Sequence, residues 1–187
     1  MTTATSNVSA LAAKVEALEK RLEIMEDTEK VRECMARYGF NADLGRSMEW
    51  VNTWTEKGVY DLGPTRRLQG SDQLLYDCIT EPKGHKTIEN KSQHMCVNFF
   101  IRVDGNKAWA EFYSVVMVRM QVEGLKIVDV ARAELAGQVF LPWSCGYNHC
   151  EFEKRDGQWY LTLRYRRMVG GDEWGGKVIK SYLKASR

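Results

Sequence analysis

The sequence is poor in most of the features that announce a chemistry. Histidine is scarce, with three in 187 residues. The five cysteines, Cys34, Cys78, Cys96, Cys145 and Cys150, are an odd count with no C-x-x-C pair. That argues against a disulfide framework and for reduced thiols. Cys145, His149 and Cys150 lack the paired short spacings of zinc ligands. They read as strand residues with small buried thiols, so no metal is expected. Charge of one sign is missing as well. The net charge is +2 and bases are scattered among acids, which leaves no stripe for nucleic acid or an anionic membrane. No apolar run approaches a membrane span. Residues 1–7 have neither the basic nor the apolar region of a secretory signal, so a cytoplasmic location is the default expectation. Neither a glycine-rich phosphate loop nor a nicotinamide or flavin fingerprint occurs, and no cofactor is expected.

What is present suits one globular domain with an accessory segment. The chain is 44% hydrophobic and 28% charged, long enough to bury a real core. After a small polar tail, Leu11, Val15, Leu18, Leu22 and Met25 recur at spacings of four and three. This is an a/d seam of about two heptads flanked by Lys and Glu. Residues 1–26 are therefore a leader helix, either an oligomer contact or an amphipathic helix lying on its own domain, and residues 27–187 the domain proper. Asp27 or Thr28 is expected to cap a second helix with Val31, Cys34, Met35, Tyr38 and Ala42 inward. That helix ends near Asp43-Leu44-Gly45, with Gly45 as its cap. Asp43 sits awkwardly at the negative end of a helix dipole, which hints at another task beside the plain reading of a solvated acid.

A short helix with Trp50, Val51 and Trp54 inward follows, then a strand through Tyr60 and another short helix to Ile79. Residues 85–91 are polar and read as a loop lying over something. From Gln93 the period changes to that of strands. Segments 93–103, 107–121, 127–140, 147–154 and 159–168 are joined by turn signals such as Asp104-Gly105-Asn106 and Arg155-Asp156-Gly157-Gln158. Helices followed by one long meander mean α+β, with N-terminal helices packed on a strongly curved antiparallel sheet in a cone.

His94 is the one well-placed histidine, at the head of the first long strand. Arg164 and Arg166 share a face of the last strand and Arg167 points the other way. A base, a carboxylate to orient it and a cation to meet negative charge suffice for proton abstraction without a cofactor. Each residue also has a plain structural reading. His94 can be a bonded core histidine, Tyr38 a core residue, the arginines a solvated face and the tryptophans core packing.

The order of elements over residues 25–170 resembles the SnoaL-like branch of the NTF2-like superfamily. The resemblance rests on Tyr38-Gly39-Phe40-Asn41-Ala42-Asp43, the later Gln93-His94, and Lys154-Arg155-Asp156-Gly157-Gln158-Trp159-Tyr160. Bile acid 7α-dehydratases, hexachlorocyclohexane dehydrochlorinase and scytalone dehydratase are the relatives it resembles. The resemblance implies His94 as base, Asp43 as its orienting acid, and Tyr38 and Arg164 as groups meeting the leaving oxygen, with Arg166 the other candidate arginine. Arg166, Tyr60, Trp54 and Trp143 are expected to contact the substrate. It further implies a homo-oligomer, most readily a trimer, and a cofactor-independent lyase. The substrate would be an apolar aromatic or polycyclic small molecule, losing water, halide or formaldehyde. The superfamily also holds non-catalytic binding or assembly subunits, so that reading stays beside the lyase.

Overall fold

The computed structural model describes residues 2–63, 66–80, 85–121 and 138–169. The elements are α1 (Thr2–Asp43), α2 (Ser47–Val51), β1 (Trp54–Asp61), β2 (Arg67–Gln69), α3 (Ser71–Ile79), a 3-10 turn (His85–Ile88), β3 (Ser92–Asp104), β4 (Lys107–Gln121), β5 (Gln138–Arg155) and β6 (Gln158–Met168). The expected turn between 121 and 127, most of the strand expected at 127–140, and the tail beyond Val169 lie outside the described residues.

The leader and the second helix are one helix of 42 residues rather than two. No glycine or proline interrupts residues 2–38, so nothing forces a break. Asp27 does not cap. It is buried, takes a hydrogen bond from Trp159 Nε1 at 3.1 Å and pairs with Lys154 Nζ at 2.9 Å. Before Asp27 the apolar seam is exposed, Leu11 by 62% and Leu18 by 60%; after it Val31, Cys34, Met35, Tyr38 and Ala42 are buried. The helix thus changes role at the residue that pins it to the sheet.

The six strands lie in the order β2-β1-β6-β5-β4-β3. All neighbours are antiparallel except β1 and β6, which run parallel, so the sheet is mixed rather than wholly antiparallel. The expected break between 140 and 147 is absent, and β5 runs through Pro142 beside β4. The ladder tolerates the proline because the register shifts there, Val116 facing Ser144 and Met117 facing Pro142, with Trp143 as the extra residue of a bulge. A second bulge holds Asn98 at φ 58° in β3, and a third leaves Thr162 unpaired between Leu161 and Leu163 in β6. Bulges bend and twist a sheet, and the helices pack on the face that results.

Under the helices lies the core. Tyr38, Trp50, Trp54 and Tyr60 form one aromatic cluster with ring centroids 5.1–6.3 Å apart. Phe99 and Phe112 stack at 4.7 Å on the sheet side.

Candidate active site

Asp43 is the last residue of α1, and the chain turns sharply behind it. Gly45 sits at φ +64°, with Arg46 N bonding Asn41 O at 2.9 Å and Gly45 N bonding Ala42 O at 3.3 Å. These two bonds close a Schellman cap, which favours a residue free to adopt the left-handed conformation. A Cβ there would also come within 2.5 Å of Glu89 Cδ. The turn exposes the Asp43 carboxylate to the head of β3. Ser92 Oγ donates to Oδ1 at 2.6 Å, His94 N donates to Oδ2 at 2.8 Å, and His94 Nδ1 lies 2.6 Å from Oδ1. Burial pushes the Asp43 carboxyl up, but the bonds from His94 and Ser92 outweigh it and hold it below the usual carboxylate range. An ionised Asp43 accepts only, so Nδ1 carries the ring proton and Nε2 is left as the basic nitrogen. Gly39 brings the helix this close, since a Cβ there would lie 3.3 Å from His94 Cβ.

Across the same face stands Arg164, on β6. It is 2% exposed. Its Nε donates to Asn148 Oδ1 at 2.9 Å, and its guanidinium carbon lies 4.5 Å from the Tyr38 ring centre and 5.3 Å from that of Tyr60. Burial disfavours its charge, yet its pKa lies above the ordinary value and the guanidinium stays protonated. Burial raises the Tyr38 hydroxyl well above its ordinary range despite that cation, so the phenol stays protonated. Arg166 lies on the same face, bonded through Nε to Ser114 Oγ at 3.3 Å and through Nη2 to Ser144 Oγ. Gly146 makes the room, since a Cβ there would lie 2.7 Å from Arg166 Nε. Arg167 turns away to Asp61 Oδ1 at 2.7 Å.

The structure thus gathers Asp43, His94, Tyr38, Tyr60, Arg164, Arg166 and Trp54 on the helix-covered face. Trp143 does not join them. As the extra residue of its bulge it is 60% exposed, in a groove with Ile88, Lys91 and Met120.

His85 was missed in the sequence, where only the polarity of 85–91 marked its loop. Its ring meets Trp50 edge-on at 4.7 Å and His94 at 5.9 Å, with Nδ1 3.4 Å from Cys78 Sγ. Burial first, then the electrostatic influence of His94 and Arg164, push its pKa down to about 3. It is a neutral imidazole beside the basic one. His149 belongs to the other face of the sheet, paired with Glu111, which also accepts from the Tyr147 hydroxyl. Cys150 is buried on the helix-covered face, so His149 and Cys150 cannot share an ion.

Several solved structures share this fold. An NTF2-like protein with a cystatin-like fold from Novosphingobium aromaticivorans is 23% identical, with TM-score 0.70 over 86% of this chain and 93% of its own. A candidate scytalone dehydratase from the same organism is 17% identical, with TM-score 0.60 over 78% and 85%. A protein of unknown function from Mycobacterium tuberculosis is 20% identical, with TM-score 0.57 over 77% of each chain. Among curated proteins none matches significantly in sequence. The model of the SnoaL-like domain matches residues 23–165, which hold Asp43, His94 and Arg164 alike, and the chain belongs to that family.

Proposed function

We propose that the protein is a cofactor-independent lyase acting on an aromatic or polycyclic small molecule, with His94 as general base. The observation that carries this is the His94–Asp43 pair: the carboxylate takes Nδ1 at 2.6 Å and leaves Nε2 as the basic nitrogen. The base removes a proton from an acidic C–H or O–H of the substrate. The electron pair released forms the new double bond and expels the leaving group. Asp43 stabilises the imidazolium that results, as the aspartate does in a hydrolytic triad. Arg164 meets the negative charge that develops on oxygen, and the protonated Tyr38 hydroxyl supplies a proton to a departing hydroxide. Trp54, Tyr60 and Arg166 shape the surroundings. The name of the candidate scytalone dehydratase supports a dehydration, while loss of halide or formaldehyde uses the same base. The same reading takes residues 1–26 as the contact of a cytoplasmic homotrimer.

The test is a screen of aromatic and steroid alcohols for loss of water or formaldehyde, followed by His94→Ala on the substrate found. Turnover should fall by at least about 10²-fold with the fold retained. Near-full turnover in that variant would refute the assignment, and a chain that only binds these compounds would be a non-catalytic subunit.

A further inference from the structure

The unpartnered polar atoms of the core are one-sided. Four buried side-chain atoms find no hydrogen-bond partner among the described residues: Trp50 Nε1, Trp54 Nε1, Arg164 Nη1 and Thr87 Oγ1. The first three can only donate. Buried polar groups in native proteins are almost always paired, so three orphan donors in one core call for an acceptor from outside the described residues.

Charge says the same. Arg164 is 2% exposed, yet no described carboxylate bonds or pairs with it. Its supports are the neutral Asn148 and the faces of Tyr38, Tyr60 and Phe112, the last at 5.9 Å. Ring faces attract a guanidinium without neutralising it. A buried charge left uncompensated is costly, and removing its partner is what makes it so. Arg166, two residues on, rests on the hydroxyls of Ser114 and Ser144. The two arginines are tied by neutral groups only. Arg164 Nε bonds Asn148 Oδ1 at 2.9 Å, Asn148 Nδ2 bonds Ser114 Oγ at 2.9 Å, and Arg166 Nε bonds that same oxygen at 3.3 Å. Arg167, on the other face, has Asp61. The buried carboxylates under the helices are already taken, Asp27 by Lys154 and Trp159 and Asp43 by Ser92 and His94.

We propose that Arg164 and Arg166 form an anion seat, and that the ligand of this site is an aromatic carboxylate whose oxygens take the orphan Arg164 Nη1 and the neighbouring Arg166. This deepens the lyase reading and rests on it for the identity of the site. It adds that the substrate is negatively charged before any bond breaks. Developing charge on a leaving oxygen alone would leave Arg164 uncompensated in the ground state. Tyr38 and Tyr60, whose rings lie 4.5 and 5.3 Å from the Arg164 guanidinium carbon, are the aromatic neighbours a substrate ring would meet.

Isothermal titration with benzoate and with benzamide, its neutral isostere, tests the seat in the full chain. Benzoate should bind at least about tenfold tighter, a gap of about 1.4 kcal/mol. 4-Nitrophenolate, the arm for a single anionic oxygen, should fall between them. Arg166→Gln should erase most of the benzoate preference, and Arg164→Met should erase it entirely. Because Arg164→Met removes a core side chain and can unfold the domain, Arg166→Gln decides if that variant is lost. Equal binding of the two probes, or a preference that survives Arg166→Gln, overturns the proposal. His94→Ala should keep the preference while losing turnover. Should that variant lose turnover although the wild type shows no benzoate preference, the seat fails and the lyase stands.

Discussion

At Asp43 three hydrogen bonds converge on one carboxylate, and this decides how its replacement should fail. Asn can keep one acceptor but must present an N–H₂ to a site lined by donors. Asp43→Asn should therefore favour the wrong His94 tautomer and cost at least about 10²-fold in turnover. A silent Asp43→Asn would show that the acid only caps and solvates. His85 makes a different prediction. Its folded pKa is depressed from 6.5 to about 3, so the unfolded chain takes up a proton that the folded chain refuses. Stability is then full above about pH 6.5 and should fall as pH drops toward 3, by at most about 1.4 kcal/mol per unit. Urea midpoints between pH 7 and 5 should show a shallower slope for His85→Gln than for wild type. The His85 ring proton should keep its NMR shift between pH 8 and 5; a titration near 6.5 would contradict the buried neutral state.

At the scale of elements, α1 is held by a pin rather than by its full length. Asp27 joins it to Lys154 on β5 and Trp159 on β6, and all three lie near the point where the helix leaves the sheet. Burial raises the Asp27 carboxyl, but the bonds from Lys154 and Trp159 outweigh it and keep it below the ordinary 3.8. That contribution is present above the unfolded value and is lost as pH falls through the folded one. Asp27→Ala should cost about 3 kcal/mol, because it strands a half-buried ammonium and a buried indole N–H together. Chemical denaturation measures it, and a loss under about 1 kcal/mol would mean that α1 is held by its apolar face alone. The bulge at Thr162 matters as much for the site. Trp159 and Leu161 face the core, and unbroken alternation would send Leu163, Tyr165 and Arg167 after them. The extra residue reverses the faces, and Arg164 and Arg166 turn inward.

For the whole molecule, the parallel pairing of β1 with β6 sets Tyr60 beside Arg164 and completes the aromatic support of the cation. Assembly is the other question at this scale. Leu11, Val15, Leu18, Leu22 and Met25 form an apolar row exposed on the part of α1 that precedes Asp27. Helices gain most of their stability from packing such a row. Light scattering on residues 26–187 should give a smaller or weaker oligomer than the full chain. Equal masses at equal concentration would show that the leader is not the contact.

Local chemistry was readable from the sequence alone. Gly45 marked the end of α1, because a left-handed cap selects glycine. Asp104-Gly105 and Asp156-Gly157 marked hairpins, and Gly105 and Gly157 sit at φ +56° and +76°. The change of period at Gln93 marked the sheet, and the residue types of Asp43, His94 and Arg164 marked an acid, a base and a cation. Everything that depended on long-range pairing was decided by the tertiary structure. The burial of Asp27, where a cap was expected, depended on Lys154 and Trp159, over a hundred residues away in the chain. The strand through Pro142 depended on a shift in its partner's register. His85 reached the site because Asn90 N bonds Asp43 O at 2.8 Å and draws its loop against the end of α1. Trp143 stands apart from the site as the unpaired residue of a bulge. A residue's own chemistry and the turns beside it are local, so sequence determines them; which face a strand shows, and what a buried charge meets there, is settled only when distant segments pair.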